Sequence, residues 1–299
     1  MIGRPGQVMD LERCTVMTVT RRSMVLAMVV SLVVLRPCLA QTAAGAPASA
    51  PPVLTPEEMD HFLRQADIVA TKSTKKGVTN ARRVTLFDGK VRHDAQVQDV
   101  NIELPIFEVG PKNTEVNFKD LFRYNIAGYR LSLLLGLGNV PMSVERRVQG
   151  KDVAMTWWLD DVMMDEGARQ KEHTVGPNPS RTAMQIHVLR VFDELIQNRD
   201  RNAGNLLWTS DWKMWMIDHT RAFRLGKDLL KPQQLERVER TLLDRMRELN
   251  EPKLTEAMDK SLTKQEIEAL LARRDAIVKL FDERIAARGE AAILYSLAN

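Results

Sequence analysis

The stretch from Asn198 to Asp218, N-R-D-R-N-A-G-N-L-L-W-T-S-D-W-K-M-W-M-I-D, constrains this chain more than any other. Asn198, Asn202, Gly204 and Asn205 are weak helix formers, so the segment that carries Asp200 and Asn205 reads as an irregular loop. Two short apolar runs follow around a Ser210-Asp211 turn, and the second run ends on Asp218. Folded as a hairpin, they return Asp218 to the side of Asn205. Asp and Asn in tight loops also bond their own backbone, and alone this pair would read as turn chemistry. With Arg201 beside it and Asp218 in register, the stretch gathers two carboxylates and an amide oxygen, donors suited to a hard cation such as magnesium.

The chain of 299 residues can hold one large domain or two small lobes with a real core. Its formal charge of +4 first suggests a polyanion partner, but residues 1–40 hold five arginines against two carboxylates, and without them the balance falls to +1. A nucleic-acid surface is therefore not indicated. Those forty residues read as an export signal: Arg21 and Arg22 precede the apolar run Met24 to Leu35, and Cys38-Leu39-Ala40 offers a cut after Ala40. The run is too short to remain as a transmembrane anchor. Met17 is an alternative start, Thr20 to Met24 only faintly resembles a twin-arginine signal, and Arg36 and Pro37 depart from a lipoprotein box. Both cysteines, Cys14 and Cys38, lie in this leader, so the remaining chain has no disulfide and no thiolate nucleophile or metal ligand. A periplasmic or extracellular location follows as an expectation.

Residues 41–54 are rich in Ala and Pro and read as a tether. Thr55-Pro56-Glu57-Glu58 then forms a capping box with proline at the first helical position, which predicts a helix to about Ala70. Arg83 to Phe87 and Lys90 to Val97 flank Asp88-Gly89, a hairpin signature. A loop with Pro105, Gly110 and Pro111 is expected next, then a helix from Phe118 to Leu135 stopped by Gly136 to Pro141. Ser143 to Gln149 and Val153 to Leu159 form a second hairpin around Gly150-Lys151. Asp160 to His173 is polar and unassigned. A helix opened by Ser180 or Thr182 delivers the chain to Asn198. Lys231 to Leu297 reads as helical, with boundaries near Asn250-Glu251-Pro252 and at Thr263, an N-cap with Glu266 at N3. No internal repeat is present, and no G-x-S-x-G, H-E-x-x-H, Walker or dinucleotide fingerprint, which removes the commonest exported hydrolases.

Asn198-x-Asp200-Arg201-x-x-x-Asn205, followed by Met216-Ile217-Asp218, resembles the active-site core of atypical kinases of the protein-kinase-like fold: the phosphoinositide kinases, the HipA-type serine kinases and the secretory-pathway casein kinases. The resemblance extends to Ala127 to Pro141, similar to the helix and Leu-Gly-x-x-x-Val-Pro turn of the secreted kinases, and to Val84-Thr85-Leu86 with Asp88-Gly89, similar to their first hairpin. It covers roughly residues 77 to 225. It implies an α+β, two-lobed protein-kinase-like fold, with a small hairpin-plus-helix N-lobe over 55–160 and a mainly helical C-lobe over 161–299. It also implies phosphoryl transfer from ATP, with Mg or Mn, to a hydroxyl acceptor on a protein, sugar or lipid, by a monomer. Asp200 would orient or deprotonate the acceptor hydroxyl, while Asn205 and Asp218 would hold metal. Thr156 to Leu159 falls where adenine would be held, with Trp158 as an adenine contact.

The sequence departs from that pattern at the nucleotide-binding side. Gln98 stands at the lysine position and Asn125 at the position of its pairing glutamate, so both halves of the expected ion pair are neutral amides, which can still hydrogen-bond each other. His219 follows the metal aspartate in place of Phe-Gly, and Asn202 replaces the usual loop histidine. Another cation would then meet the phosphates, with Lys75, Lys76 and Lys119 as candidates and Lys76 preferred. The alternative is an inactive pseudokinase that binds nucleotide or protein.

Overall fold

Thr55 caps the first helix as its capping box demands: its hydroxyl accepts from Glu58 N, and the Glu58 carboxylate accepts from Thr55 N at 2.8 Å. In this computed structural model, which describes residues 54–73, 81–108 and 114–297, that helix is α1, Pro56–Gln65. The leader, nearly all of the tether, Lys75, Lys76, Gly110 and Pro111 lie outside the described residues. Expected to reach Ala70, α1 ends at Gln65, and the chain continues as strand β1, Asp67–Ser73. Ile68, Val69 and Thr71 are β-branched, and pairing with β2, Arg82–Phe87, outweighs the helical pattern that precedes them.

Both expected hairpins are present. The Asp88 carboxylate accepts from Lys90 N and Val91 N, Gly89 takes a φ of 94°, and β2 turns into β3, Arg92–Gln98. Two further strands, Ser143–Val148 and Lys151–Trp157, meet at Gly150 with a φ of 83°. Between β3 and this second hairpin the chain departs from expectation. Residues Asn101–Glu108 and Thr114–Leu121 form β4 and β5, an antiparallel pair, where a loop and the first turns of a helix were anticipated. Ile102, Leu104 and Ile106 alternate against Val116 and Phe118, and Pro105 is tolerated because β4 is an edge strand whose outward N–H is not needed. Helix α2 therefore starts at Arg123 and runs to Leu134.

The second hairpin supplies β6 and β7, and the main sheet has the order β1-β2-β3-β7-β6. Phe62 and Leu63 of α1 pack with Leu86, Ala95, Val97, Val144 and Met155 in one small core. Below it lies the larger core. It takes Tyr124, Ala127 and Leu131 from α2, joined by residues of α4 (Pro179–Leu195), α5 (Arg240–Glu248), α6 (Glu251–Met258) and α7 (Lys264–Arg288). The ambiguous segment becomes β8, Val162–Asp165, and α3, Glu166–Lys171. The stretch after Asn198 forms β9, Leu206–Thr209, and β10, Met214–Met216, in a sheet of order β10-β9-β8. A two-residue parallel pairing of β11, Val238–Glu239, with β12, Leu294–Tyr295, ties the C-terminal end down beside the short helix α8, Glu290–Ile293. The result is α+β: a small antiparallel-sheet lobe followed by a mainly helical part. Among the described residues no helix is long and apolar enough to cross a membrane.

Candidate active site

The loop after α4 is held in shape by one side-chain and two backbone hydrogen bonds within it. Asn198 Oδ1 accepts from Asp200 N at 3.1 Å, Asp200 O from Asn202 N at 2.9 Å, and Asn202 O from Asn205 N at 3.1 Å. Arg201 fastens this loop to its surroundings. Its guanidinium grips Asp193 of α4 through Nε and Nη2, with a closest approach of 2.9 Å, and its Nη1 donates to Asn205 O and, at 2.6 Å, to Ile217 O. One fork thus joins the helix, the loop and the end of β10. Ile217 N donates to Asn205 O at 3.0 Å, so the hairpin does return Asp218 to Asn205.

The hairpin turn repeats the same logic. Asp211 Oδ1 accepts from the Thr209 hydroxyl and Lys213 N, while Trp212 takes a φ of 59° and packs on Trp208. Asp218 itself has a φ of 56°, a left-handed conformation that Asp and Asn tolerate best among residues with a side chain. Strain of this kind is kept where the surroundings over-determine it, and here they do. Thr220 donates to Asp218 Oδ1 at 3.0 Å, and the next residue, His219, is locked from two sides.

His219 is 1% exposed. It lies edge-on to Phe192 at 5.8 Å and against Gly128 of α2, where an added Cβ would sit 3.1 Å from His219 Cγ. Burial, aided by the charge of Arg201, holds its imidazole well below the ordinary pKa, so it is neutral and acts as an aromatic packing residue. Its backbone N donates to Asn125 Oδ1 at 2.7 Å. That bond fixes the Asn125 amide, because a backbone N–H can only donate. Asn125 Nδ2 is therefore the donor on the other side of the amide and gives its proton to buried Gln98 Oε1 at 2.7 Å. The two amides do pair, as their positions in the sequence suggested, and they connect β3 through α2 to the residue after Asp218.

Other candidates are placed differently. Lys119 is not available to an anion beside the cleft: its Nζ meets Glu266 Oε1 at 2.7 Å, and Glu266, fully buried, also accepts from Tyr124 OH at 2.6 Å. Lys76, like Lys75, lies outside the described residues. The ring of Trp158 is capped by the Arg83 guanidinium at 4.3 Å, while Trp157 stacks on His93 at 3.6 Å. A narrow cleft runs between the lobes past Gln96, Asn125, Ser143, Thr156, Asp218 and His219. A larger hollow lies in the helical part, lined by Leu133, Arg245, Glu248, Lys253 and Glu256.

Four more residues meet here, of which the sequence singles out Arg221 alone, as a group to orient the metal aspartate or a phosphate or to cap a helix. Arg221 bridges Asp200, at 3.3 Å, to Glu115 of β5 at 2.9 Å, and Arg224 pairs with the same Glu115. Asp120, at the end of β5, is 6% exposed. Burial, reinforced by the charges of Asp218 and Asp200, pushes its carboxyl above the ordinary value despite a hydrogen bond with Thr220 and the proximity of Arg221. Among the described residues no three His, Cys, Asp or Glu side chains are gathered as a closed ligand set. The donors present, Asp218 with the amide of Asn205 and a buried carboxylate close by, fit a hard divalent cation.

No known protein-family model matches this sequence, and no curated protein is matched by it. Solved structures do resemble it. The structure of hydra Fam20 with sugar superposes with a TM-score of 0.61 at 13% identity, over 80% of this chain and 92% of the other. The crystal structure of the Golgi casein kinase gives 0.57 at 14% identity, over 81% and 79%. This chain therefore has an atypical kinase-like fold.

Proposed function

We propose that this chain is an exported kinase that transfers the γ-phosphoryl group of ATP to a hydroxyl acceptor with Mg or Mn. The observation that carries this reading is the single Arg201 fork, which holds the Asp200 loop, Asn205 and the strand leading to Asp218 in one frame. Asn205 and Asp218 would hold the metal, which when bound would neutralise phosphate charge. Asp200, partly exposed, would face the acceptor and take its hydroxyl proton as the new O–P bond forms and ADP leaves. The ion pair to Arg221 sets its orientation.

The Gln98–Asn125 amide pair supports retained architecture with altered charge. It links β3, α2 and His219 N as a charged pair would, and buries no unpaired ion. It offers no cation to the phosphates, which increases the burden on the metal. The same pair is also what an inactive pseudokinase would carry. The discriminating experiment is transfer from γ-labelled ATP with Mn²⁺ to protein, sugar and lipid acceptors, alongside ATP hydrolysis, for wild type and Asp200→Asn. Turnover that falls at least about a hundredfold in Asp200→Asn, with nucleotide affinity unchanged, supports the proposal. Equal turnover in the variant would remove Asp200 from its role, and nucleotide binding without turnover in wild type would identify a pseudokinase.

A further inference from the structure

Away from the cleft, the sheet of the small lobe encloses a second hollow. In the order β1-β2-β3-β7-β6 the strands β1 and β6 are the two outer ones, yet Ile68 of β1 and Val148 of β6 line one space of about 410 Å³. The sheet is therefore curled, and its outer strands form opposite walls. Val84 of β2 and Val97 of β3, both buried, make the floor. Helix α1 is fastened to β6 through Arg146 Nη1, which donates to Leu63 O at 3.1 Å, and Arg64 Nη1, which donates to Glu145 O at 3.0 Å. It covers the rest of this face and adds no residue to the lining of the hollow. The hollow is also separate from the cleft. Side chains alternate along β3, and where Gln96 lines the cleft and Gln98 bonds Asn125, Val97 points to the opposite face.

Two guanidiniums reach this apolar space from different strands. Arg82 stands opposite Val97 in the β2–β3 pairing, and its one carboxylate, Asp99 at 3.8 Å, is shared with Lys151, also at 3.8 Å. Arg146 is half-buried and bonds a carbonyl oxygen, and among the described residues it makes no ion pair. Burial lowers its pKa from the ordinary arginine value, opposed by the more distant charge of Asp67. It remains a cation all the same, partly withdrawn from water with no anion against it. A planar fork in that position is stabilised by a carboxylate or phosphate that meets it. The surroundings exclude a long polyanion, because Asp67, Asp99, Glu145 and Asp152 interrupt the positive charge on every side. A compact ligand with one anionic group is what the charge and the walls admit, and the volume lies within the range of about 300–1,000 Å³ usual for small-molecule pockets.

We propose that this hollow binds a small organic anion, a carboxylate or phosphate head on a short apolar body, with Arg82 and Arg146 holding the head and Ile68, Val84, Val97 and Val148 the body. The head gives Arg146 the anion it lacks and replaces the long contact of Arg82 to Asp99. The body displaces water from walls that β1 and β6 bring together. Head and body joined therefore bind better than either half alone.

The test is calorimetric titration of the whole chain with hexyl phosphate and with hexanoate, and with inorganic phosphate and hexanol as the separate halves. Wild type is expected to bind at least one of the two anions saturably, at least about tenfold more tightly than either half, and the tighter of the two identifies the head. Arg82→Gln gives up only the long contact to Asp99 and should weaken that binding at least about tenfold. Thr71→Phe, an exposed lining position on β1, fills the space without changing its charge and should abolish binding. The exposed control Arg240→Gln in the helical part should bind as wild type does. Melting temperatures check that each variant is folded, and Arg146→Gln is titrated in place of Arg82→Gln if the latter is not. No saturable binding of either anion overturns the inference, as does equal affinity for inorganic phosphate. Binding that survives both Arg82→Gln and Thr71→Phe overturns it too, since the anion would then lie elsewhere.

Discussion

The amide pair at the centre of the cleft predicts a specific double-mutant cycle. Asn125→Leu removes the donor to Gln98 Oε1 and the acceptor of His219 N, both at 2.7 Å and both buried. Each orphaned group costs about 1–3 kcal/mol, and added apolar burial returns about 1, so a net loss of roughly 3 kcal/mol is expected. At roughly 2–4 °C per kcal/mol for a unit of this size, the melting temperature should fall by about 6–12 °C. Gln98→Met keeps the length of the side chain and leaves Asn125 Nδ2 short of its Gln98 acceptor, for a loss of about 1–2 kcal/mol from that group. In the double variant neither the Gln98 oxygen nor Asn125 Nδ2 exists to be stranded. Its loss should therefore be smaller than the sum of the singles by at least about 2 kcal/mol. The assay is urea denaturation of the four proteins, followed by circular dichroism, with m-values checked for constancy. Additivity within about 0.5 kcal/mol would refute the coupling, and with it the claim that these amides replace an ion pair as a structural unit. Asn125→Leu should also weaken ATP·Mn binding more than Gln98→Met does, because Asn125 Oδ1 accepts from the backbone N of His219, the residue after Asp218.

Two further outcomes follow from the site. Arg201→Met leaves the Asp193 carboxylate, 14% exposed, without its fork and should destabilise by about 3–5 kcal/mol, with partial recovery in Arg201→Met/Asp193→Asn; denaturant titration measures both. Buried His219 has a folded pKa below its unfolded value of about 6.5, so the unfolded chain binds the extra proton. Stability is then fully present above that value and falls by up to about 1.4 kcal/mol per pH unit as pH drops beneath it. His219→Phe should flatten the loss between pH 7.5 and 5.5, leaving the smaller contribution of His187, whose pKa is also lowered by burial. An unchanged pH slope would mean that His219 is not held neutral.

What the sequence made legible was local chemistry. The capping boxes at Thr55 and Thr263 fixed two helix starts because the partners are three residues apart. Asp200, Asn205 and Asp218 could be grouped as candidates for the same reason, since one loop and one short hairpin link them in sequence. Elements decided by distant partners were misread. Ile68 to Thr71 looked like a continuation of α1 because the strand that claims them begins at Arg82. Pro105 argued for a loop although an edge strand accepts it, and the period-two alternation of Ile102, Leu104 and Ile106 was there to be used. Lys119 looked free because the buried Glu266 that holds it lies 147 residues away. Asp120 gave no signal, because only the folded β5 sets it beside Thr220. The Gln98–Asn125 pairing was anticipated only through the resemblance, which supplied positions that spacing alone could not.

Metal-dependent nucleotide binding tests the account most directly. Because Asp218 has a left-handed backbone, Asn is the cleaner replacement than Ala, which would add backbone strain to the loss of charge. Wild type with Mn²⁺ and ATP at about a hundred times the dissociation constant should gain about 2.7 kcal/mol in thermal unfolding. That gain should vanish without metal and in Asp218→Asn. No metal-dependent stabilisation at any ATP concentration, or an equal gain in Asp218→Asn, would contradict the assignment of this cleft as a kinase site.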